Sequence, residues 1–279
     1  MITINLSFYN QNEVLRKHVI GWKSWPDFLK EKFSFCIIDD CSKTKATDVL
    51  SDIDLSDLNI SIYRVKEDLV CNIAGVRNLS AKECKTEWMV ILDMDTIISE
   101  ELAASMITLC DSPSGNCFKF NRRVPTDPYH EKNGQQHPAV CLLRLEDYWK
   151  VGGCEEDLVG HYGQTDPIFW YRAQGKLKVD VRMDMFLDYI PEGEATINRD
   201  TSHNFGVFAH KSRTNTVTHE YMNTRILLPF QHLVCIGLQP YTLKGLLFWT
   251  QPLFLHISQL QTQRLQHLKR QRLYGVRTM

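Results

Sequence analysis

The chain has 279 residues, 43% of them hydrophobic, and a formal net charge of -1. That length holds one large α/β domain with an appendage or two small domains, and the apolar content excludes a disordered chain. The balanced charge gives no ground for a polyanion-binding role, so no nucleic acid is expected as a partner.

In chain order, residues 2–8 read as a strand, followed by the polar break Tyr9-Asn10-Gln11-Asn12. Val14, Leu15, His18, Val19 and Trp22 recur at helical spacing. A second strand, 33–38, runs into Asp39-Asp40-Cys41-Ser42, and a third spans 59–65. Residues 73–84 suggest a helix and 87–92 a fourth strand; Ser99 is placed as the N-cap of the next helix, with two acids in its first turn. Strands alternating with helices imply a parallel sheet with crossover helices. After Cys110 the pattern changes. Residues 117–121 and 139–145 read as strands, and 122–138, rich in polar residues, as a surface loop that could serve as a lid. Residues 169–175 read as a helix end and 177–181 as a strand.

Nine cysteines, an odd number without a CxxC pair, argue for reduced thiols rather than a disulfide framework or a zinc site. No basic and apolar leader opens the sequence. The expected location is therefore cytoplasmic. No Asp or Glu follows Glu220, whereas Arg225, Lys244, Arg264, Lys269, Arg270, Arg272 and Arg277 do. Leu260, Leu265, Leu268 and Leu273 interleave with several of these cations as in a basic amphipathic helix. Packing on the catalytic domain or a partner is the favoured role for this tail, and peripheral contact with an anionic membrane the alternative.

The chemistry concentrates at strand ends. The apolar run Trp88-Met89-Val90-Ile91-Leu92 stops on Asp93-Met94-Asp95, which places two carboxylates at the edge where open α/β sheets bind ligands. Two acids without a nearby basic partner in sequence suit a hard cation such as Mg²⁺ or Mn²⁺ bridging to a phosphate. Asp39-Asp40 offers a carboxylate able to accept from a pyrimidine imide or ribose hydroxyls. Arg77 offers a fork-shaped donor suited to phosphate. Singly, each of these is weak, and an isolated Asp-x-Asp reads better as a strand end with two solvated acids. Their order along one sheet edge gives them weight.

Tyr9-Asn10-Gln11, Ile37-Ile38-Asp39-Asp40-Cys41-Ser42, Ala74-Gly75-Val76-Arg77-Asn78 and Leu92-Asp93-Met94-Asp95 together resemble the nucleotide-sugar half of a family-two glycosyltransferase. The segment from Val151-Gly152-Gly153-Cys154 through Gly160-His161-Tyr162-Gly163-Gln164-Thr165-Asp166 resembles that family's acceptor-side motif. The resemblance implies a GT-A, Rossmann-like α/β fold: a mostly parallel mixed sheet flanked by helices, with a C-terminal helical tail. Residues 1–220 would form the catalytic domain (1–110 the donor half, 111–220 the acceptor half) and 221–279 the extension. It implies an inverting, metal-dependent transfer from a nucleotide-sugar donor to a hydroxyl of a glycan or lipid-linked acceptor. Tyr9, Asn10, Asp40, Arg77, Asp93 and Asp95 would bind the donor, and Asp166 would be the catalytic base. His161, Tyr162 and Gly163 would line the acceptor site, while Trp149 is assigned to the core. Mn²⁺ or Mg²⁺ would sit on Asp93 and Asp95 with a third ligand, His203 preferred over His210 and Asp188. UDP is the default nucleotide because Asp40 suits a uracil; GDP and dTDP stay open.

Two departures from the family matter: its third metal ligand, usually a histidine in the C-terminal part of the domain, has no single match among His203, His210 and Asp188, and position 165 lacks an acid. Thr165 stands where the family often carries an acid before the base, which keeps a catalytically silent glycan- or partner-binding module as the rival reading. A sugar-nucleotide nucleotidyltransferase is disfavoured because the loop after the first strand lacks the glycine-rich, Arg-containing pattern. The absence of GxxxxGK removes a P-loop NTPase.

Overall fold

The computed structural model describes residues 1–193, 197–214 and 230–236, the last by backbone alone. In chain order the elements are β1 (Ile2–Phe8), α1 (Asn12–Lys23), α2 (Asp27–Lys30), β2 (Phe33–Asp39), α3 (Ala46–Val49), β3 (Ile60–Val65), α4 (Ile73–Glu83), β4 (Trp88–Leu92), β5 (Thr96–Ile97) and α5 (Glu100–Asp111). They continue with β6 (Cys117–Arg123), β7 (Gln136–Arg144), α6 (Leu145–Val151), α7 (Thr165–Ala173), β8 (Val179–Tyr189), α8 (Ser202–Arg213) and β9 (Phe230–Ile236).

The nine described strands form one sheet in the order β5-β8-β6-β7-β4-β1-β2-β3-β9. The block β4-β1-β2-β3 is parallel, and β7 then runs antiparallel to β4. From β1 the chain winds outward through β2 and β3, then returns to place β4 on the other side of β1. Strand order therefore reverses between β1 and β4, and a crevice opens beyond the carboxyl ends of strands at such a point.

Period-two alternation sorts each strand between two cores. Trp88, Val90 and Leu92 of β4 join Ile2, Ile4 and Leu6 of β1 against Leu15 and Val19 of α1 and Leu102 and Met106 of α5. Met89 and Ile91 face the other way, with Tyr148 of α6 and Phe169 of α7. Burial on both faces explains why β4 has no polar break. Helix α4 is buried from Ala74 through Ala81, so its polar members Arg77 and Asn78 must find partners inside the protein. Ser99 caps α5 as expected, its Oγ accepting from the Leu102 amide at 3.2 Å.

Several boundaries differ from the sequence reading. The expected loop 122–138 shrinks, because β6 runs to Arg123 and β7 starts at Gln136. Residue 145, read as strand, opens α6, and β8 extends eight residues past 181 to Tyr189. Strand β9 falls in the expected 221–279 extension and pairs antiparallel with β3. The amphipathic pattern from Leu260 to Leu273 lies outside the described residues. Among the described residues, no helix is long and apolar enough to cross a membrane.

Candidate active site

The crevice at the β1/β4 reversal contains a cavity of about 410 Å³. Its walls include Tyr9 after β1, Asp40 after β2, Arg77 of α4, Asp93 and Asp95 after β4, and Tyr162, Gly163 and Asp166 around the start of α7. Most of the residues singled out in the sequence thus share one space.

The two acids after β2 divide their work. Asp39 is fully buried and accepts from the amides of Ser42 at 2.7 Å and Ala46 at 3.0 Å and from Arg64 Nη1 at 2.5 Å. It builds the loop. Asp40 faces the cavity and accepts from Asn72 Nδ2 at 2.9 Å. Burial pushes its carboxyl up to about 6; the Asn72 bond opposes this, and the charges of Asp68 and Asp39 add to it.

Asn10 is placed differently from the expectation. It adopts a left-handed φ of 56°, its Oδ1 accepts from the Lys43 amide at 2.7 Å, and it does not line the cavity. Its side chain is committed to pinning the β1 and β2 loops together. Tyr9 does line the cavity, and its hydroxyl donates to Asp68.

Arg77 connects two sides of the cavity. Its Nη2 donates to Asp93 Oδ1 and its Nη1 to Asp166 Oδ1, both at 2.7 Å. Burial opposes the charge on this guanidinium, but attraction to Asp93 and then Asp166 outweighs it and holds Arg77 well above its ordinary value. No described residue hydrogen-bonds the second oxygen of Asp166, whose side chain is 29% exposed toward the cavity.

The Asp93–Asp95 turn is held from beneath. Ile190 donates its amide to Asp95 carbonyl oxygen at 2.8 Å. Gly193 packs so close that a Cβ there would stand 2.3 Å from Asp95 Cα. Beside the turn, His137 Nε2 lies 3.1 Å from Asp95 Oδ1. Ligand atoms of Asp93, Asp95 and His137 all fall within 4.8 Å of one another, a grouping that could hold a metal ion.

The preferred third ligand from sequence, His203, is not in this group. It lies exposed on α8 with its ring stacked on His161 at 3.7 Å between centroids. His210, on the same helix, borders a different cavity with His203. Asp188 is paired with Arg123 at 2.6 Å. The sequence reading passed over His137 because it sat in a stretch assigned to a surface loop. Its one signal was proximity to the start of an apolar strand.

Of the residues expected at the acceptor, Tyr162 and Gly163 line the cavity, whereas His161 is outside it, exposed against His203. Gly163 has a φ of 93°, and a Cβ would stand 2.8 Å from Thr201 Cγ2, so glycine is required twice over. Asn204 of α8 donates Nδ2 to the carbonyls of Leu158, His161 and Gly163, which fixes the loop before α7. Asn78 of α4 fixes its beginning: Nδ2 donates to Cys154 carbonyl oxygen, and Oδ1 accepts from the Cys154 amide and Tyr148 hydroxyl. Thr165 is buried as the first residue of α7, and Asp166 follows it into the cavity. Trp149 packs edge-on to Tyr148 and does not line the cavity.

A mixed sheet of this order, with acids at the end of β4 and a carboxylate opening α7 across one crevice, defines a glycosyltransferase of the GT-A fold. The glycosyl transferase family 2 profile matches residues 3–174, and the chain belongs to that family. The structure is similar to S. aureus TarS 1–349, with a TM-score of 0.58 at 13% identity over 80% of this chain and 70% of that one. The same TarS fragment in complex with UDP-GlcNAc aligns with a TM-score of 0.59 at 12% identity, over 80% and 71% of the two chains. The mannosyltransferase PcManGT from Pyrobaculum calidifontis, in complex with GDP-Man and Mn²⁺, aligns with a TM-score of 0.56 at 16% identity, over 79% and 69%. At such identities these structures speak to the fold. No curated protein sequence matches the chain.

Proposed function

We propose that this glycosyltransferase moves a sugar from a nucleoside diphosphate donor to an acceptor hydroxyl of a glycan or lipid-linked molecule, with inversion at the anomeric carbon and with a divalent cation. The observation that carries the reading is the Arg77 fork, which ties Asp93 on the donor side to Asp166 on the acceptor side within one cavity.

In this scheme Asp40 accepts from the imide N–H of a uracil, the feature that favours UDP. Asp93 and Asp95 fit a hard cation: two carboxylates at one end of a polar cavity, each with an oxygen beyond the one held by Arg77 or facing His137. Mn²⁺ or Mg²⁺ held there would neutralise charge growing on the departing diphosphate. Asp166 takes the proton from the acceptor hydroxyl through the oxygen that Arg77 leaves open. Arg77 keeps that carboxylate turned into the cavity and shields it from the charge of Asp93. Tyr162 offers an aromatic face beside the incoming sugar.

The test is turnover of UDP-sugars with Mn²⁺ and glycan acceptors, with the product's anomeric configuration read by NMR. Transfer with inverted configuration is expected. Retained configuration, or turnover undiminished by a chelator, would overturn the scheme. A sugar-binding module on this fold would release no UDP under the same conditions.

A further inference from the structure

The pairing of β6 with β7 is irregular where it meets the site. Lys119 pairs with Cys141 and Asn121 with Gln136, so one residue of β6 stands opposite four of β7. On the other side, pairing of β7 with β4 ends at Ile91 and Cys141. Within this bulge Pro138 has no amide to satisfy, and its carbonyl accepts from Trp170 Nε1 at 2.7 Å. The amides of Ala139 and Val140 turn instead to the His137 ring and donate to Nδ1 at 3.1 and 3.0 Å.

Those two bonds fix the tautomer. A backbone N–H only donates, so Nδ1 presents its lone pair and carries no proton. The ring proton of a neutral imidazole then resides on Nε2, which lies 3.1 Å from Asp95 Oδ1. A nitrogen that bears a proton has no lone pair in the ring plane to offer a cation. Coordination through Nε2 would require the ring to lose its last proton. Coordination through Nδ1 would strand two amides beside a side chain only 3% exposed, at about 1–3 kcal/mol for each group left unsatisfied.

We infer that His137 is a positioning residue and not the third ligand: its Nε2–H holds Asp95 Oδ1 and turns the other oxygen toward the cation. The role rests on the reading of Asp93 and Asp95 as the cation's holders. Carboxylates that bind metals are commonly oriented by a hydrogen bond of this kind. Here the orienting donor is set by a strand bulge, so the geometry of β7 is transmitted to the acid at the end of β4.

Long-range ¹H–¹⁵N NMR on metal-free protein labelled at histidine tests the tautomer directly. His137 is expected with Nε2 protonated and Nδ1 bare; a proton on Nδ1 overturns the inference. Pulsed EPR of the Mn²⁺-loaded protein tests ligation. No directly bound nitrogen is expected, and a nitrogen coupling that vanishes in His137→Gln overturns the inference. Mn²⁺ affinity separates the roles again: His137→Gln, with a donor near the place of Nε2, should stay within about threefold of wild type, while His137→Ala should lose about 10–100-fold. Equal losses in both variants would count against positioning. If wild type binds Mn²⁺ no better than Asp95→Asn, the cation site itself is wrong, and the NMR result still decides the ring's tautomer.

Discussion

A guanidinium forked between Asp93 and Asp166 restrains both acids, since either can turn away only by leaving a buried cation half satisfied. Asp166→Asn is informative for this reason. An amide oxygen still accepts from Arg77 Nη1, so the cavity keeps its shape while the proposed base is lost. The expected result is a fall in kcat of about 10²–10⁴-fold with donor affinity changed little, read by steady-state kinetics beside nucleotide titration; wild-type turnover would remove Asp166 from the mechanism. Asp40 makes a second prediction, in pH. Its carboxyl lies at about 6 in the folded chain because burial disfavours the charge. An unfolded aspartate ionises near 3.9, so between roughly pH 4 and 6 the folded state holds a proton that the unfolded state has released. Stability from this group therefore falls as pH rises through that window. A carboxylate accepts from an imide N–H more strongly than a neutral carboxyl does, so UDP affinity should weaken as pH drops below about 6, and Asp40→Asn should remove that step while lowering affinity at neutral pH. An unchanged pH profile in the variant would show that the base sits elsewhere.

At the scale of elements, the turn after β4 depends on the end of β8. Ile190 bonds the Asp95 carbonyl, and Gly193 lies against the Asp95 backbone at a distance no Cβ tolerates. Gly193→Ala should thus displace the Asp93–Asp95 turn without touching a ligand atom. Mn²⁺ titration is expected to show clearly weaker binding and thermal melting a loss of stability, whereas intact Mn²⁺ binding would show that the turn moves as a rigid piece. This dependence also explains what the sequence could and could not convey. Strand β4 and its closing acids were legible because both signals are local, five apolar residues and then two carboxylates. The β1-β2-β3 alternation was legible for the same reason. His137 was not, since its partner Asp95 is 42 positions away and its own segment is a bulge with no period. Helix α8 was missed because its stretch carries Gly206 and few apolar residues, and its hold on the structure comes through the buried polar groups Asn204 and Lys211 as well as Val207 and Phe208, which pack against Leu158 and Ile168. Helix α6 was missed because it follows β7 without a break, so Ala139 to Leu145 read as one strand. Asn10 was expected at the donor because a polar residue after a strand looks the same whether it faces a ligand or pins a neighbouring loop.

Across the molecule, the sides proposed to bind donor and acceptor are separate in sequence and joined in space. Residues up to Asp95 supply the parallel block and the acids after β4, and residues after Val151 supply the loop and helix that carry Asp166. Helix α4 reaches both: Arg77 bonds Asp93 and Asp166, and Asn78 bonds the glycine-rich turn at Cys154. A donor nucleotide bound with its cation would therefore tighten contacts on both sides of the cavity, and its binding energy would appear as stability of the whole sheet domain. A ligand at 100 times its Kd adds about 2.7 kcal/mol. For a domain of 150–250 residues that corresponds to a rise in Tm of roughly 5–10 °C. The expected pattern in a thermal-shift panel is a rise of this size for one nucleotide diphosphate with Mn²⁺, a much smaller one without it, and none of the Mn²⁺-dependent part in Asp95→Ala. Because Asp166 does not meet the donor's phosphates in the proposed scheme, Asp166→Asn should keep the full shift while losing turnover. If both variants lose the shift together, Asp166 belongs to the donor site and the base must be sought elsewhere in the cavity.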